Sequence, residues 1–290
     1  MTDPFAAWVE RDVIWVEGSW AGQFLQGQLT QDVLDINNGF SEWSLVLAPD
    51  GTVDFFLRVT RVSDTSWVLD IDAGWGTALM ARLTDAAPDV GVTLAPRAWK
   101  ALRVAFVGMA NLNEGPEAVT AWVRWFPWLP LGTIDVLAPS PKVPEGFPLV
   151  SPAQYEFRRI RSSFPQMGSE ITHTTFPEET GLVQWAFGRD KTDDYVGRSA
   201  WTEASASAKR PQRQLRVLVF SGEAEPGCTL VTAGGEPAGE VTSVAFLPSR
   251  GWIGLGYLQT TVDEPHVLIA NNGPRALLQE IPAWPSGSRT

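Results

Sequence analysis

Short runs of β-branched and aromatic residues, separated by Gly, Pro and Asp turns, make up most of the chain, and apolar positions at helical spacing are confined to a few stretches. Val13 to Val16 is one such run, and Gly18 and Ser19 lead from it into Trp20 to Leu29. There Trp20, Phe24 and Leu25 share a helical face, with Ser19 as the expected N-cap. Glu42 to Ala48, the turn Pro49–Asp50–Gly51 and Val53 to Val62 spell a hairpin. Ser66 to Ile71 follows as a strand and Trp75 to Leu83 as a helix.

After Ala95–Pro96 the pattern restarts. It predicts a strand over Ala101 to Val107, a helix near Glu117 to Trp125, a strand near Thr133 to Leu137, and a helix over Ser151 to Ile160 begun by Ser151–Pro152. Glu203 to Pro211 has the composition of a linker. Beyond it Leu215–Phe220, Ala238–Phe246 and Trp252–Leu258 are short strands, and Asn271–Asn272–Gly273 is a hairpin turn. The fold class expected is α+β: one α+β half over 1–95, a second over 96–206, and a small β-barrel over 207–290.

Composition narrows the functional classes. With 44% hydrophobic and 19% charged residues the chain can bury real cores, so global disorder is excluded. No membrane span or signal peptide is legible, and the expectation is a soluble cytoplasmic protein. Cys228 is the single cysteine and the histidines are His173 and His266, too few for a disulfide framework, a thiolate zinc site or a protein-ligated iron–sulfur cluster, so no metal is expected. The net charge of −11 disfavours broad binding to nucleic acid, which draws on clustered Lys and Arg. Fourteen tryptophans, several inside apolar runs, suit core packing or an aromatic wall for a flat heterocycle.

The familiar nucleophile, phosphate-loop and dinucleotide signatures are absent. Two segments stand out instead. Arg158 to Pro177 runs from a basic helix end into a Gly/Pro loop carrying Glu170 and His173, and Asp193 to Arg198 clusters two carboxylates, Tyr195 and a guanidinium. Each has an ordinary structural reading, the first as a helix end that complements its dipole and the second as a solvated turn before a helix near Ser199.

Together with Phe24 to Asp32, Leu45 to Gly51, Arg159 to Pro177, Tyr195 to Arg198 and Gly239 to Ser243, in that order and spacing, these segments resemble the folate-binding family of the glycine-cleavage T-protein and YgfZ, the GcvT-like fold. The resemblance runs from about Val13 to Leu258, and Glu170 to Pro177 sits nearest the shorter YgfZ branch. It implies that the two α+β halves together form a folate-binding module, with tetrahydrofolate or a derivative as cofactor. The YgfZ branch implies an accessory role in iron–sulfur protein assembly or maintenance, with iron–sulfur proteins as partners. The T-protein branch implies an aminomethyl or methyl transferase of one-carbon metabolism. A third reading is a protein-interaction scaffold that has lost folate.

The departures are specific. Asp194 stands where the YgfZ branch has cysteine and Arg198 where it has glutamine, so the segment reads as the T-protein writes it. Cys228 lies apart in a turn. Asp54 is the candidate for the T-protein's catalytic carboxylate, and His173 takes the place of the loop carboxylate that grips the pterin. The chemistry of tetrahydrofolate distributes the other roles. Glu170 or Asp194 suits the pterin edge, Tyr195 and Trp185 the aromatic middle, and Arg159, Arg161 and Arg198 the carboxylate tail. On this reading loss of Arg159 weakens folate binding.

Overall fold

The computed structural model describes residues 4–87, 91–105, 119–123, 133–206, 213–262, 267–271 and 273–279. In chain order its elements are β1 Phe5–Val9, β2 Arg11–Glu17, α1 Ala21–Gln28, β3 Phe40–Leu47, β4 Val53–Arg61, β5 Ser66–Asp72, α2 Gly76–Ala86, β6 Thr93–Arg97, β7 Lys100–Ala105, β8 Val119–Val123 and β9 Thr133–Ala138. Next come α3 Pro152–Arg161, α4 Pro177–Thr180, α5 Val183–Ala186 and α6 Arg198–Ala206. The barrel strands are β10 Arg213–Phe220, β11 Thr229–Val231, β12 Pro237–Leu247, β13 Gly251–Gln259, β14 Val267–Ala270 and β15 Arg275–Gln279.

The α+β expectation and its C-terminal barrel hold. β10, β13, β12, β11, β14 and β15 close into a six-stranded barrel, with Asn271 and Gly273 in the turn joining β14 to β15. The other nine strands form one sheet in the order β1-β7-β9-β8-β3-β4-β5-β2-β6. Its seam is narrow: β3 and β8 run parallel and pair through Phe40 with Trp122 and Ser41 with Val123.

Three local expectations are corrected. Ser19 does not cap α1; Trp20 occupies the N-cap position and gives no side-chain bond there. The helix expected near Glu117 to Trp125 is strand β8 over its described part, because Val119, Thr120, Trp122 and Val123 favour a pleated ladder and β9 supplies one. Of the linker composition at Glu203 to Pro211, residues up to Ala206 continue α6, and the rest lies outside the described residues. α3 begins as its sequence dictates, with Ser151 and Gln154 exchanging the two bonds of a capping box and Pro152 in the first turn.

The sheet buries charge at its centre. Arg58 on β4 donates from Nε and Nη2 to Asp70 at 2.8 and 3.0 Å, and from Nη1 to Asp135 at 2.7 Å. Arg103 on β7 forks onto Asp135 at 2.7 and 2.5 Å and also donates to the Tyr155 hydroxyl. Arg11 on β2 completes the set, reaching Asp70 at 2.8 Å and Asp72 at 2.5 Å. The guanidinium groups of Arg11 and Arg58 lie 5.6 and 5.4 Å from the Trp43 ring centre.

β4 and β9 are three strands apart, about 14 Å in a flat sheet. The Arg58–Asp135 bond therefore needs the sheet to coil until these strands face one another. Three arginines and three aspartates balance, which is the condition for holding such charge out of water.

Burial opposes ionisation of Asp135, but Arg103 and Arg58 outweigh it and hold the carboxyl down at about 2. A depressed carboxyl stabilises the fold above its unfolded value, and that stability is lost as pH falls through the folded value. Unfolding free energy measured in urea should thus decline as pH drops from 3.8 to about 2, with about 2 kcal/mol of the loss due to Asp135. At neutral pH the Asp135→Asn protein should be less stable by ~3–5 kcal/mol, with that part of the acid slope missing.

Candidate functional site

The loop after α3 is built around Glu170, whose side chain is wholly buried. Its Oε2 accepts from Arg159 Nη1 at 2.9 Å and from the Gln166 amide at 3.0 Å. Its Oε1 accepts from the hydroxyls of Thr242 at 2.7 Å and Ser243 at 2.5 Å. The pairing of β12 with β13 slips between Val241 and Ser243, and this bulge at Thr242 brings two neighbouring hydroxyls to one carboxylate. The Glu170 carbonyl accepts from Tyr257 on β13 at 2.8 Å. A second tie runs beside it, from Arg213 on β10 to Glu179 in α4 at 2.7 and 3.1 Å. The barrel is thereby bonded to the loop and to α3.

This arrangement decides what Arg159 and Glu170 can do. Arg159 donates to Glu156 from Nε and Nη2, to the Phe164 carbonyl and Glu170 from Nη1, and to Ser243 from Nη2, which uses all of a guanidinium's donors. The structure places both residues in the hub that binds loop to barrel.

The Asp193–Arg198 turn docks on α1, with Gln26 Nε2 donating to Asp193 Oδ2 at 2.8 Å and the Val196 amide to the Gly27 carbonyl at 3.3 Å. Arg198 donates to the carbonyls of Thr192 and Asp193 at 2.6 and 2.5 Å and lies 5.7 Å from the Tyr195 ring centre. Asp194 accepts from the Tyr195 amide at 3.0 Å, and Tyr195 is buried. Lys191 sends its ammonium to the carbonyls of Gln26, Leu29 and Gln31 at 2.5, 2.8 and 3.0 Å and so closes the end of α1. Burial lowers its pKa to about 8 against the opposing pull of Asp32 and Asp193. Gly197 and Gly51, both at positive φ, let this turn and α6 press on the β3–β4 hairpin; a Cβ on Gly51 would sit 2.6 Å from the Trp201 nitrogen.

Trp185 belongs to an aromatic cluster with Trp43, Phe56 and Phe164, at ring separations of 6.3, 5.8 and 6.0 Å. Trp43 and Trp67 are likewise core, so packing accounts for these tryptophans. Arg161 is exposed at the end of α3.

Asp54 and His173 are brought together. Between β3 and β4 the register slips so that Val46 faces Phe55 and Leu47 faces Val53, which leaves Asp54 as the extra residue of a β-bulge. Simple alternation would put Asp54 and Phe56 on one side of the strand. The bulge frees Asp54 from that rule: Phe56 packs against Trp43 in the core, while Asp54 Oδ1 lies 3.4 Å from His173 Nδ1 and its Oδ2 lies 3.9 Å from Arg82 Nε.

Trp75, at the start of α2, stands edge-on to His173 at 6.0 Å. Arg82 Nη1 reaches Gln28 at 3.3 Å and has donors to spare. The face is open to solvent, with side-chain exposures of 21% for Asp54, 26% for Arg82 and 63% for His173. Sequence reasoning missed Arg82 and Trp75, although their i, i+7 spacing marks one side of α2.

Tetrahydrofolate asks for an aromatic wall, a hydrogen-bonding group at its reactive nitrogens and a cation for its tail. Trp75, the Asp54–His173 pair and Arg82 supply these types on one open face. Arg159 and Glu170 do not fit the ligand roles, being spent within the protein, whereas Arg198 commits Nη1 to two turn carbonyls and keeps its Nε donor. A cleft of about 440 Å³ beside the hub is lined by Glu156 and Glu240, and another is lined by Asp32, Asp35, Glu42 and Asp190 around Arg189. An anionic tail is repelled by both. Among the described residues no group of three His, Cys, Asp or Glu could hold a metal ion, and no helix is long and apolar enough to cross a membrane.

No family model matches the chain. Its sequence is similar to curated aminomethyltransferases: 40% identical over 95 residues to that of Streptomyces coelicolor, covering 32% of this chain and 25% of the relative. It is 30% identical over 118 residues to that of Phocaeicola vulgatus, covering 40% and 32%. Similarity to the Mycobacterium tuberculosis aminomethyltransferase is lower, 26% over 272 residues, but covers 83% of this chain and 72% of that one. The first two matches thus span a quarter and about a third of those relatives' lengths.

Among solved structures, the glycine cleavage system aminomethyltransferase T of Bartonella henselae superimposes with a TM-score of 0.80 at 19% identity, over 95% of this chain and 84% of that one. The chain therefore has the aminomethyltransferase fold.

Replacing Glu170 with Ala should cost ~3–5 kcal/mol of unfolding free energy, since it strands a buried guanidinium, while Thr242→Val should cost about 1 kcal/mol. Urea melts of the two proteins check the order, and equal effects would contradict a hub centred on Glu170.

Proposed function

We propose that this chain binds tetrahydrofolate or a derivative at the face formed by Asp54, His173, Arg82 and Trp75, and serves as a folate-dependent aminomethyl or methyl transferase. The observation that carries the reading is the bulge that takes Asp54 out of the pairing ladder and brings it within 3.4 Å of His173, beside a cation whose donors are not exhausted. The aminomethyltransferase fold supports it. Trp75 offers the wall against which a pterin or its aromatic middle lies, and Arg82 offers a fork for a carboxylate.

The accessory role in iron–sulfur protein maintenance that goes with the YgfZ branch shares the folate requirement. Asp194 in place of that branch's cysteine favours the transferase. Nothing in either reading draws on Arg159 or Glu170 as a ligand contact.

Titration with tetrahydrofolate and 5-formyl-tetrahydrofolate, followed by tryptophan quenching, tests the proposal. Binding is expected, and Arg82→Ala should weaken it by ~1–3 kcal/mol, the usual scale for losing a charge-assisted bond. Unchanged affinity in that protein would remove the tail from Arg82, and no binding of any folate would end the reading.

A further inference from the structure

We infer that His173, and not Asp54, is the proton acceptor of this face, with Asp54 as the residue that positions it. The proposal deepens the reading of the same face as a folate site, but its geometry stands without a ligand. The Asp54 carboxylate lies between two cationic or donor groups: Oδ1 faces His173 Nδ1 at 3.4 Å and Oδ2 faces Arg82 Nε at 3.9 Å. Each of its oxygens thus has a cationic or donor group of the protein nearby, and the carboxylate is the less exposed partner.

His173 is arranged the other way. Nδ1 is its nitrogen near Asp54, at 3.4 Å, and no hydrogen bond to Nε2 is present among the described residues. The ring is 63% exposed and stands edge-on to Trp75 at 6.0 Å. A carboxylate beside Nδ1 selects the neutral tautomer that keeps its proton on Nδ1, which leaves the Nε2 lone pair toward solvent and any bound molecule. Arg82 lies 3.9 Å from the other oxygen of the carboxylate.

In the step this arrangement serves, an N–H or O–H group of the bound substrate gives its proton to Nε2, and the bonding electron pair stays on the substrate atom. The imidazolium so formed retains Nδ1–H on the side of Asp54, and its Nε2 proton then leaves to water. No oxidant or further reactant is needed. Asp54 exchanges no proton in this sequence.

With two histidines in the chain, nitrogen-15 labelling of histidine gives a spectrum of two imidazoles, and a His173→Gln protein identifies which is which. In the unliganded full chain, at a pH where the ring is neutral, His173 is expected as the Nδ1–H tautomer. That pattern should be lost in Asp54→Ala and restored in Asp54→Glu. Acylation of His173 by diethyl pyrocarbonate, read by mass spectrometry, should slow in Asp54→Ala. A native His173 in the Nε2–H form overturns the proposal without any variant, and so does the same tautomer in native and Asp54→Ala proteins. These spectra contain no folate. A protein that shows the tautomer change and binds no folate retains the pair and loses the folate reading, and one that binds folate without the change does the reverse.

Discussion

The carboxylate of Asp135 accepts from two guanidinium groups in a place with no solvent exposure, and the two halves of the large sheet meet through it. The backbone seam between those halves, β3 against β8, is two residue pairs long. A seam so short cannot fix the relative angle of the strand groups on either side. The side-chain bridge does, because a forked guanidinium accepts a carboxylate only within a narrow range of angles. Trp43 seals the bridge from one side and in turn anchors the aromatic cluster that supports Phe56 and the strand bearing Asp54. The open face at His173 thus rests on buried electrostatics several residues away.

A second buried carboxylate performs the corresponding task for the barrel. Glu170 gathers donors from α3, from its own loop and from two adjacent residues of β12. His173 follows it closely in the chain, so the loop that carries the imidazole is held where the barrel is held. Both Asp54 and Thr242 reach their partners because a ladder has slipped by one residue. In each case the irregularity re-aims a polar side chain that regular pleating would send elsewhere.

Much of the fold is legible from residue pattern alone: the β3–β4 hairpin, the start of α3 at Ser151–Pro152, the strands β10, β12 and β13, and the turn joining β14 to β15 all follow from local chemistry. What escapes it is non-local. β8 takes its state from β9, and α1 has its end satisfied by Lys191, far along the chain. The site shows the same division. Asp54 and His173 are residues whose types stand out in sequence, whereas Arg159 and Glu170 stand out equally and turn out to consume one another. A pattern reports which side chains can do chemistry, and the tertiary partners decide which are still free to do it. The bulge at Asp54 lies in neither its own residues nor its neighbours, since it depends on the register with β3.

The ammonium of Lys191 stands where the end of α1 would otherwise expose bare carbonyls, at Gln26, Leu29 and Gln31. Thr30 donates its hydroxyl to the Ala186 carbonyl in the same region, and β1 pairs with β7 and bridges through Ala6 to Leu149. During synthesis, therefore, β1 and the end of α1 cannot complete their bonding until segments roughly 100 and 160 residues further along the chain have followed them. The arrival of one lysine is among the events that complete this helix end.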